Sequence, residues 1–503
     1  TFDIPGLTKS KVSPDGTVSS VDLGSKLVVV MVGLPARGKS FITNKLCRYL
    51  TWQQHRCKIF NVGNTRRNAN TKGNEVDDLN PTPSEKQDAS FFSPSNAKSK
   101  ALRELWAMDT LDKLLDYILL DNGTVGILDA TNTTIMRRRK VLDTIAERTG
   151  GQLKVLFLES ICTKPEIINQ NIRLKLSGPD YKNIDPEIAI KDFINRLKNY
   201  EQAYETLDDE KEIDLQYCKI IDVGARTITN NIKGFLACQV VFFMLNFNLT
   251  ERQIWICRHG ESEDNVLGRI GGDSGITERG KKFSRTLARF MEYQKSLFRK
   301  KQLEHFASHN QILSKKSEKN QQGGSDDKSL PMTPMNEPED PNFCVWSSML
   351  RRSVETAEYF SEEKFDIKEM RMLNELSAGK CEGMTYAEIR DEYPSEYESR
   401  MAQKILYRYP GIGGESYLDV IARLRPVIVE IERMEDHLCI IAHRIVCRVL
   451  LAYFMNLGRD SIGELDVPLH TLYVLEPKPY GVDWAMYEYS EKADWFFQVP
   501  KEN

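Results

Sequence analysis

The first half of the chain is organised around residues 26–40, which read Lys26-Leu27-Val28-Val29-Val30-Met31-Val32-Gly33-Leu34-Pro35-Ala36-Arg37-Gly38-Lys39-Ser40. The β-branched run before Gly33 predicts a buried parallel strand, and the apolar spacing over residues 39–50 predicts a helix. Residues 33–40 fit G-x-x-x-x-G-K-[ST], a loop whose backbone N–H groups hold phosphates. In such a loop Lys39 reaches the β- and γ-phosphates and Ser40 ligates Mg²⁺. The segment therefore predicts a nucleoside triphosphate site.

Short apolar runs continue to alternate with helical segments along the rest of the chain. In the first half they predict strands at residues 58–62, 125–128, 154–158 and 219–223. A second such series has its runs at residues 253–257, 344–346, 437–442 and 471–475. Alternation of this kind predicts α/β domains, each with a doubly wound parallel sheet.

The composition is that of an ordinary globular protein with two or three domains. Of 503 residues, 41% are hydrophobic and 28% are charged, which is typical of chains that bury a core. The net charge of -3 gives no general attraction to nucleic acid or to an anionic membrane. We found no apolar run long enough to span a bilayer. The ten cysteines include no C-x-x-C pair, so we expect free thiols and a cytoplasmic protein.

A second chemical motif, Cys257-Arg258-His259-Gly260-Glu261, follows the first strand of the second series. Its RHGE signature is typical of a histidine that accepts phosphate, which must be neutral at one nitrogen and lie among cations. Arg352 and His443 also follow predicted strands, and parallel sheets bind ligands at such ends. Glu375 is the candidate acid for the leaving oxygen. Taken singly, His443 is more often a structural histidine and Glu375 a surface carboxylate.

The first half contains further groups suited to phosphoryl transfer. Asp129 closes a predicted strand, the usual place for a carboxylate that handles Mg²⁺ or an acceptor hydroxyl. Arginines are spread over separate elements, where they either lie on solvated faces or converge into a pocket for a phosphorylated acceptor. The sequence leaves both readings open for Arg66, Arg67, Arg103, Arg137, Arg138, Arg139 and Arg196.

Eight segments resemble a known family with two enzymes on one chain. Those of the first half resemble 6-phosphofructo-2-kinase: Leu34-Pro35-Ala36-Arg37-Gly38-Lys39-Ser40, Phe60-Asn61-Val62-Gly63, Asp129-Ala130-Thr131-Asn132-Thr133-Thr134 and Ser177-Gly178-Pro179-Asp180-Tyr181. Those of the second half resemble its fused fructose-2,6-bisphosphatase: Cys257-Arg258-His259-Gly260-Glu261, Arg269-Ile270-Gly271-Gly272-Asp273-Ser274, Gly383-Met384-Thr385-Tyr386 and Gly414-Glu415-Ser416-Tyr417. The resemblance covers residues 26–490 apart from a polar insertion.

For the first half, the resemblance implies a kinase domain with the parallel sheet of P-loop nucleotide kinases, and with ATP and Mg²⁺ as cofactors. The implied ATP-binding residues are Gly33, Leu34, Pro35, Ala36, Arg37, Gly38, Lys39 and Ser40. Ser40 and Asp129 would contact the metal, while Asp129, Cys162 and Lys175 match catalytic positions. Fructose 6-phosphate would be bound by Arg66, Arg103, Thr131, Arg137, Arg196 and Tyr200.

For the second half, it implies a histidine-phosphatase (phosphoglycerate mutase-like) α/β domain. His259 would be the phosphohistidine nucleophile, Glu375 the proton donor and His443 a third catalytic residue. The groups implied to bind fructose 2,6-bisphosphate are Arg258, Asn265, Gly271, Arg352, Tyr386, Arg400, Lys404 and Arg448. The chain departs from the family at Arg444, where Gln is usual, and at Thr65, where Tyr is usual.

We therefore predict a fungal-type bifunctional enzyme that makes and degrades fructose 2,6-bisphosphate and thereby controls glycolysis. The nearest alternative is a kinase whose phosphatase domain is weak or inactive. The chain is predicted to consist of a tail at residues 1–24, a kinase domain at 25–249 and a phosphatase domain at 250–503 with a disordered insertion at 299–341. A homodimer and regulation by protein kinases, with Thr333-Pro334 as the candidate target, are further expectations.

Two rival functions make different demands on the sequence. A polynucleotide kinase–phosphatase needs a D-x-D-G-T motif, and Ser13-Pro14-Asp15-Gly16-Thr17 lacks its first Asp. A non-enzymatic sensor of sugar phosphate would have no need for Lys39, Asp129 and His259. An ATP-dependent assay with fructose 6-phosphate separates all three functions.

Overall fold

The computed structural model describes residues 23–500 apart from 73–88, 94–95, 177–184, 223, 249, 322–336, 338 and 479–480. The chain divides into two compact units, Thr1–Asn246 and Phe247–Asn503. This division falls three residues before the domain boundary predicted at residue 249. Most of the predicted tail, the motif at residues 177–181 and Thr333-Pro334 lie outside the described residues.

The first unit alternates strands and helices, as its hydrophobic pattern predicts. Its strands are β1 (Leu27–Val32), β2 (Cys57–Asn61), β3 (Val125–Asp129), β4 (Lys154–Ile161), β5 (Tyr217–Ile221) and β6 (Arg226–Asn230). Its helices are α1 (Lys39–Trp52), α2 (Val62–Lys72), α3 (Ala97–Leu119), α4 (Ile135–Thr149), α5 (Pro165–Leu176), α6 (Pro186–Gln202) and α7 (Phe235–Met244). Short 3-10 turns span Leu23–Ser25 and Ala89–Phe92.

The sheet of the first unit has the strand order β2-β3-β1-β4-β5-β6. All six residues of β1 are buried, because it lies between β3 and β4 in the middle of the sheet. Strands β1 to β5 run parallel, which confirms the predicted architecture. The sequence did not predict β6, an antiparallel edge strand that forms a hairpin with β5. Its Arg-Thr-Ile-Thr-Asn sequence has no apolar run because it is not buried in the sheet.

The second unit is also α/β. Its strands are β7 (Ile254–Arg258), β8 (Phe343–Ser347), β9 (Asp366–Glu369), β10 (His437–Ala442), β11 (Thr471–Lys478), β12 (Gly481–Ser490) and β13 (Trp495–Gln498). Its helices are α8 (Glu263–Val266), α9 (Glu278–Gln321), α10 (Arg351–Ala357), α11 (Tyr386–Glu392), α12 (Pro394–Ala402), α13 (Tyr417–Arg423), α14 (Arg425–Arg433) and α15 (Arg444–Phe454). Its 3-10 turns are Arg371–Leu373, Gly379–Cys381 and Arg459–Ser461.

The sheet of the second unit is mixed, with the order β13-β12-β11-β7-β10-β8-β9. Strands β7, β10, β8 and β9 are parallel, whereas β11 runs antiparallel to β7 and continues into an antiparallel meander. The expectation of a wholly parallel second series is therefore wrong at β11. An apolar run indicates that a strand is buried, but it does not report the direction of that strand.

The predicted disordered insertion begins as helix. Helix α9 continues through Arg299 to Gln321, so residues 299–321 differ from the expectation. Lys, Glu, Gln and Leu favour helix, and lengthening an existing helix needs no new nucleus. The first part of α9 is anchored by Phe283, Leu287 and Phe290, which pack in the core of the unit. None of the described helices is both long enough and apolar enough to cross a membrane.

Candidate active sites

The loop between β1 and α1 has the backbone geometry of a phosphate-binding loop. Gly33 has φ +131° and donates its N–H to the carbonyl of Thr131 at 2.9 Å. A Cβ at Gly33 would lie 2.6 Å from the carbonyl oxygen of Ser160, so a side chain does not fit there. Gly38, with φ +84°, caps the start of α1. The loop thus ends at a helix N-terminus, where free N–H groups attract phosphate.

Lys39 is buried inside this loop, and its Nζ donates to the carbonyl of Leu34 at 2.5 Å. Burial lowers the pKa of Lys39 to about 7, and the positive charges of Lys175 and Arg37 add to this effect against the attraction of Asp129. Lys175, an exposed residue near the end of α5, therefore lies within electrostatic range of Lys39. A bound phosphate would supply the negative charge that this cluster lacks.

Asp129 lies beside the loop at the carboxyl end of β3, as predicted. Its Oδ2 accepts hydrogen bonds from Ser40 Oγ at 3.2 Å and from Asn61 Nδ2 at 2.6 Å. The Ser40 and Asp129 oxygens fit Mg²⁺, which takes one or two protein oxygens and completes its shell with phosphate and water. The described residues hold no cluster of three or more His, Cys, Asp or Glu side chains suited to a metal. Sequence reasoning gave no role to Asn61, which is the partner of Asp129 in the β2–β3 register.

Three of the predicted substrate-binding arginines converge on one aromatic ring. The guanidinium carbons of Arg196, Arg66 and Arg103 lie 3.8, 5.5 and 5.9 Å from the ring centroid of Phe92. The ring of Tyr200 lies 5.7 Å from the same ring. This arrangement favours the interpretation that the three arginines form a pocket for a phosphorylated acceptor over the interpretation that they lie on solvated faces.

The arginine cluster is linked to the phosphate-binding loop through helix α6. Leu197 of α6 packs in one buried cluster with Leu34 and Ala36 of the loop, and Tyr200 packs against that cluster. Arg37 of the loop pairs with Glu201 of α6 at 3.4 Å. Sequence reasoning missed Phe92, although Phe91-Phe92 is an aromatic pair that follows a long polar stretch.

The run Arg137-Arg138-Arg139 is divided among different partners. Arg138 is fully buried and forms an ion pair with the fully buried Glu212, which is a structural role. Arg139 forms an ion pair with the exposed Asp214. Arg137 donates from Nε to Glu104 at 2.7 Å, and of the three it remains the candidate for substrate.

Cys162, which follows β4, is a buried thiol. Its Sγ lies 3.8 Å from the carbonyl oxygen of Lys164. Burial raises the pKa of the Cys162 thiol, so it is uncharged near neutral pH. A neutral thiol is a weak nucleophile, which favours the packing role that this residue could also have.

His259 is buried at the carboxyl end of β7, and its two ring nitrogens have different partners. Nδ1 lies 2.7 Å from the carbonyl oxygen of Gly260, so it carries the ring proton. Nε2 accepts a hydrogen bond from Nε of Arg352 at 3.1 Å. Burial, followed by the charges of Arg352 and Arg258, holds the pKa of His259 well below its ordinary value. The result is a neutral imidazole with a lone pair among cations, as a histidine nucleophile requires.

His443 completes this cluster from the end of β10, which pairs with both β7 and β8. Its ring centroid lies 5.0 Å from that of His259, and its Nε2 lies 2.6 Å from Oγ of Ser348. Burial and the charge of Arg352 lower the pKa of His443 well below its ordinary value. Sequence reasoning did not single out Ser348, which lies between β8 and Arg352 and thus close to a residue that was predicted.

Arg258 and Glu375 are within electrostatic range of each other in the same site. Burial lowers the pKa of Arg258, and the charge of Glu375 opposes this effect. The carboxylate of Glu375 accepts backbone N–H groups of Leu376 at 3.0 Å and Ile445 at 3.4 Å. These hydrogen bonds fix the Glu375 carboxylate beside the start of α15, the helix that begins directly after His443.

Two predicted substrate residues lie in the segment that follows β7. Gly271 has φ +69°, a left-handed conformation that favours glycine, and a Cβ there would lie 1.5 Å from Oε2 of Glu382, so that this side chain would have to move. The carbonyl oxygen of the neighbouring Gly272 accepts a hydrogen bond from Nη1 of Arg352 at 2.7 Å. Asn265 is the third residue of helix α8 and completes a capping box with Ser262, whose backbone N–H donates to its Oδ1 at 3.1 Å.

The remaining predicted substrate residues form a separate group of cations and phenols. Arg400 donates to the hydroxyl of Tyr386 at 3.0 Å. Arg448 donates to the hydroxyl of Tyr417 at 2.9 Å, and Lys404 donates to the carbonyl of Gly463 at 2.8 Å. The charges of Arg400 and Arg448 both lower the pKa of Lys404, after burial as the first cause, so the three cations lie near one another. Such a group suits a polyanionic ligand.

Arg444 is the first residue of α15, directly after His443. Its guanidinium pairs with the exposed Asp466 at 3.3 Å and is itself about half exposed. Its charge lowers the pKa of Arg258, which places it within electrostatic range of the site. Its effect on turnover stays a prediction.

Fold and geometry together define a chain with two α/β units, one with a phosphate-binding loop and one with two buried histidines beside an arginine. The family model of 6-phosphofructo-2-kinase matches residues 14–251, and the model of the histidine phosphatase superfamily (branch 1) matches residues 337–489. The 6-phosphofructo-2-kinase 1 of Saccharomyces cerevisiae is 54% identical over 501 residues, which cover 100% of this chain and 56% of that protein.

Two further relatives are matched over most of both chains. A probable 6-phosphofructo-2-kinase of Schizosaccharomyces pombe is 46% identical, covering 99% of this chain and 75% of its own length. The 6-phosphofructo-2-kinase/fructose-2,6-bisphosphatase 3 of Homo sapiens is 38% identical, covering 91% of this chain and 76% of its own length. The chain belongs to the 6-phosphofructo-2-kinase/fructose-2,6-bisphosphatase family, which confirms the resemblance seen in the sequence. It spans little more than half the length of the budding-yeast relative.

Proposed function

We propose that this chain transfers phosphate from ATP to the 2-hydroxyl of fructose 6-phosphate and hydrolyses the resulting fructose 2,6-bisphosphate through a phosphohistidine. The observation that carries the proposal is the convergence of Arg66, Arg103 and Arg196 on Phe92, in the unit that holds the P-loop. A cluster of guanidinium groups suits an acceptor that itself carries phosphate.

In the kinase unit, this chain's own residues position two anions. The backbone of residues 33–40 and Lys39 bind the phosphates of ATP, and the arginine cluster binds the phosphate of the acceptor sugar. Ser40 and Asp129 would hold Mg²⁺, which would neutralise phosphate charge. In the proposed reaction, the Asp129 carboxylate accepts the proton of the acceptor hydroxyl. Lys39 and Lys175 stabilise the transferring phosphoryl group.

In the phosphatase unit, the Nε2 lone pair of His259 attacks phosphorus. A P–N bond forms, and the bond between phosphorus and the 2-oxygen of the sugar breaks. Glu375 gives its proton to the departing oxygen, which leaves as the hydroxyl of fructose 6-phosphate. Water then attacks the phosphohistidine and loses its proton to Glu375, which releases phosphate and restores His259. Arg258 and Arg352 neutralise the phosphoryl oxygens throughout.

Paired variants of the full chain test both halves. We expect Lys39→Ala to abolish ATP-dependent formation of fructose 2,6-bisphosphate and to leave its hydrolysis unchanged, since the two sites lie on separate units. We expect His259→Ala to have the opposite effect and to abolish an acid-labile phosphoprotein formed with 2-³²P-labelled fructose 2,6-bisphosphate. A Lys39→Ala chain that still phosphorylates fructose 6-phosphate at the wild-type rate would refute the kinase assignment.

The second candidate function is a kinase with a weak or inactive phosphatase, and Arg444 favours it. This residue brings an extra cation to the edge of the site, where relatives in the family usually have Gln. A wild-type chain that never forms the acid-labile phosphoprotein, with or without Arg444→Gln, would establish this alternative.

We further propose a cytoplasmic homodimer that is controlled by protein kinases. Free thiols at all ten cysteines support a reducing compartment. Sedimentation of the purified chain tests the dimer. Phosphorylation mapping, with Thr333-Pro334 as the candidate target, tests the regulation.

A further inference from the structure

Ser348 lies directly behind the second histidine of the phosphatase site. It follows strand β8 and is fully buried, and its Oγ lies 2.6 Å from Nε2 of His443. The backbone N–H of Leu350 donates to the same Oγ at 3.3 Å. The hydroxyl of Ser348 thus has two hydrogen-bond partners. The direction of its own proton determines which tautomer His443 adopts.

The contacts of Ser348 favour one direction for that proton. A hydroxyl group has one proton to donate and two lone pairs with which to accept. The N–H of Leu350 occupies one lone pair, and Nε2 of His443 is the acceptor that the described contacts offer to the proton. With the proton in that direction Nε2 of His443 accepts, and a neutral imidazole that accepts at Nε2 carries its proton on Nδ1.

The ring of His443 is neutral, because burial and the charge of Arg352 hold its pKa well below the ordinary value. Its Nδ1 is buried and has no hydrogen-bond partner among the described residues. A buried N–H without a partner is unfavourable, so a ligand atom is expected to accept from it. The ring of His259 lies 5.0 Å away, with Arg352 on its Nε2, so that ligand is the phosphoryl group in transfer.

We propose that Ser348 is a positioning residue whose hydroxyl holds His443 in the Nδ1–H tautomer, so that His443 donates a hydrogen bond to the phosphoryl group moving onto and off His259. The inference rests on the proposed phosphatase reaction. In the other tautomer the Nδ1 lone pair would face phosphoryl oxygens and repel them. Ser348 thereby acts on the reaction through His443 and does not touch the substrate.

The neighbouring Ser347 provides a matched control. It is also fully buried at the end of β8, but its Oγ has no hydrogen-bond partner among the described residues. Ser347→Ala and Ser348→Ala thus remove the same atom from adjacent buried positions, and one of them removes the hydrogen bond to His443. Ser348→Thr keeps the hydroxyl and serves as the conservative variant.

The first measurement is steady-state hydrolysis of fructose 2,6-bisphosphate by the full chain. We expect Ser348→Ala to lower kcat by about 10- to 100-fold with KM changed less than about threefold, because the lost interaction belongs to the transition state. Ser348→Thr should recover most of kcat, and Ser347→Ala should stay within about twofold of wild type. Kinase activity and thermal unfolding of each variant check that the chain is folded. An unchanged kcat in Ser348→Ala, or an equal loss in Ser347→Ala, would overturn the inference.

The second measurement reads the tautomer without turnover. In ¹⁵N-histidine-labelled protein, which has seven histidines, the His443 signals are those missing from His443→Gln. We expect Nδ1–H in the wild type and in Ser347→Ala, and a mixture of tautomers in Ser348→Ala. If the wild type does not hydrolyse fructose 2,6-bisphosphate, the phosphatase proposal fails and this spectrum alone decides on Ser348. An Nε2–H signal in the wild type would contradict its role.

Discussion

At the scale of single residues, the charge of Lys39 depends on what occupies the loop around it. Without a phosphate, its Nζ donates to the carbonyl of Leu34, and burial lowers its pKa to about 7, with Lys175 and Arg37 adding to the effect. A triphosphate brings negative charge to the same place and favours the protonated amine. The pKa of Lys39 should therefore be higher in the complex than in the free protein.

This difference predicts proton uptake on binding. We expect a non-hydrolysable ATP analogue to take up about one proton at pH 8.5 and almost none at pH 5.5, where Lys39 is already charged. Affinity should consequently fall as the pH rises above about 7. Calorimetric titration in two buffers with different ionisation enthalpies measures the uptake. In Lys39→Arg, whose guanidinium is always charged, the uptake should disappear, and persistence there would assign the proton to another group.

How far the sequence predicts the site depends on whether a residue acts within a motif or across the fold. Lys39 and His259 lie in recognisable local patterns. Asn61 and Ser348 act through hydrogen bonds to partners 68 and 95 positions away, at Asp129 and His443. No local spacing reports such contacts, because pairing of distant strands creates them.

At the scale of structural elements, the 3-10 turn Ala89–Phe92 organises the arginine cluster. The face of Phe92 is approached by Arg196 at 3.8 Å, with Arg66 and Arg103 farther out. A cation over an aromatic face is stabilised by the ring quadrupole, which lets three like charges share one pocket. The turn therefore holds the arginines near one another before substrate binds.

Replacement of this ring should weaken binding of the phosphorylated acceptor. We expect Phe92→Leu to raise KM for fructose 6-phosphate by about tenfold, since each cation–π contact contributes about 0.5–2 kcal/mol. KM for ATP should change little. Steady-state kinetics with either substrate varied measures both values.

The adjacent Phe91 is the control for this prediction. It is equally buried, but its ring stacks on Trp106 at 5.9 Å and approaches no arginine in the described contacts. Phe91→Leu should leave KM for fructose 6-phosphate near the wild-type value. If both variants raise KM alike, the effect comes from loss of packing in the turn and not from the ring beneath the arginines.

Elements themselves were predictable where they are buried and apolar. Strands β1 and β7 read as uninterrupted apolar runs because each lies inside its sheet. Strands β6, β9, β12 and β13 were missed because most of their residues are exposed or only half-buried, and polar residues are tolerated at such positions. The helical start of the predicted insertion was missed because its polar composition resembles that of a disordered segment.

At the scale of the whole molecule, buried histidines are distributed unequally between the two units. Burial lowers the pKa of His259 and His443 well below the ordinary value, and that of His437 and His470 to about 4. All four belong to the second unit, whereas the sequence of the first unit contains His55 alone. The unfolded chain binds protons at these histidines near pH 6.5, but the folded unit does not.

The second unit should therefore lose stability on mild acidification. A lowered histidine pKa in the folded state has little effect on the free energy of unfolding above pH 6.5. As the pH falls from there toward the folded-state pKa, the free energy of unfolding decreases progressively. Between pH 7.5 and 5.5, each histidine whose folded-state pKa lies near 4 should remove about 1.4 kcal/mol from the free energy of unfolding, which gives about 3 kcal/mol for His437 and His470 together. His259 and His443 should add to this loss. Urea unfolding followed by tryptophan fluorescence measures this loss, since Trp255 and Trp346 report on the second unit and Trp52 and Trp106 on the first.

A single variant separates this mechanism from general acid sensitivity. His437 begins β10, at the opposite end of the strand from His443, and its Nδ1 accepts the backbone N–H of Gln253 at 3.0 Å. His437→Gln can keep an acceptor there without a titrating group, so it should reduce the loss by about 1.4 kcal/mol over the same pH range. The first unit should change little, because few carboxylates titrate above pH 5.5. Equal losses in both units, or an unchanged loss in His437→Gln, would mean that acid destabilises this protein by a route other than its buried histidines.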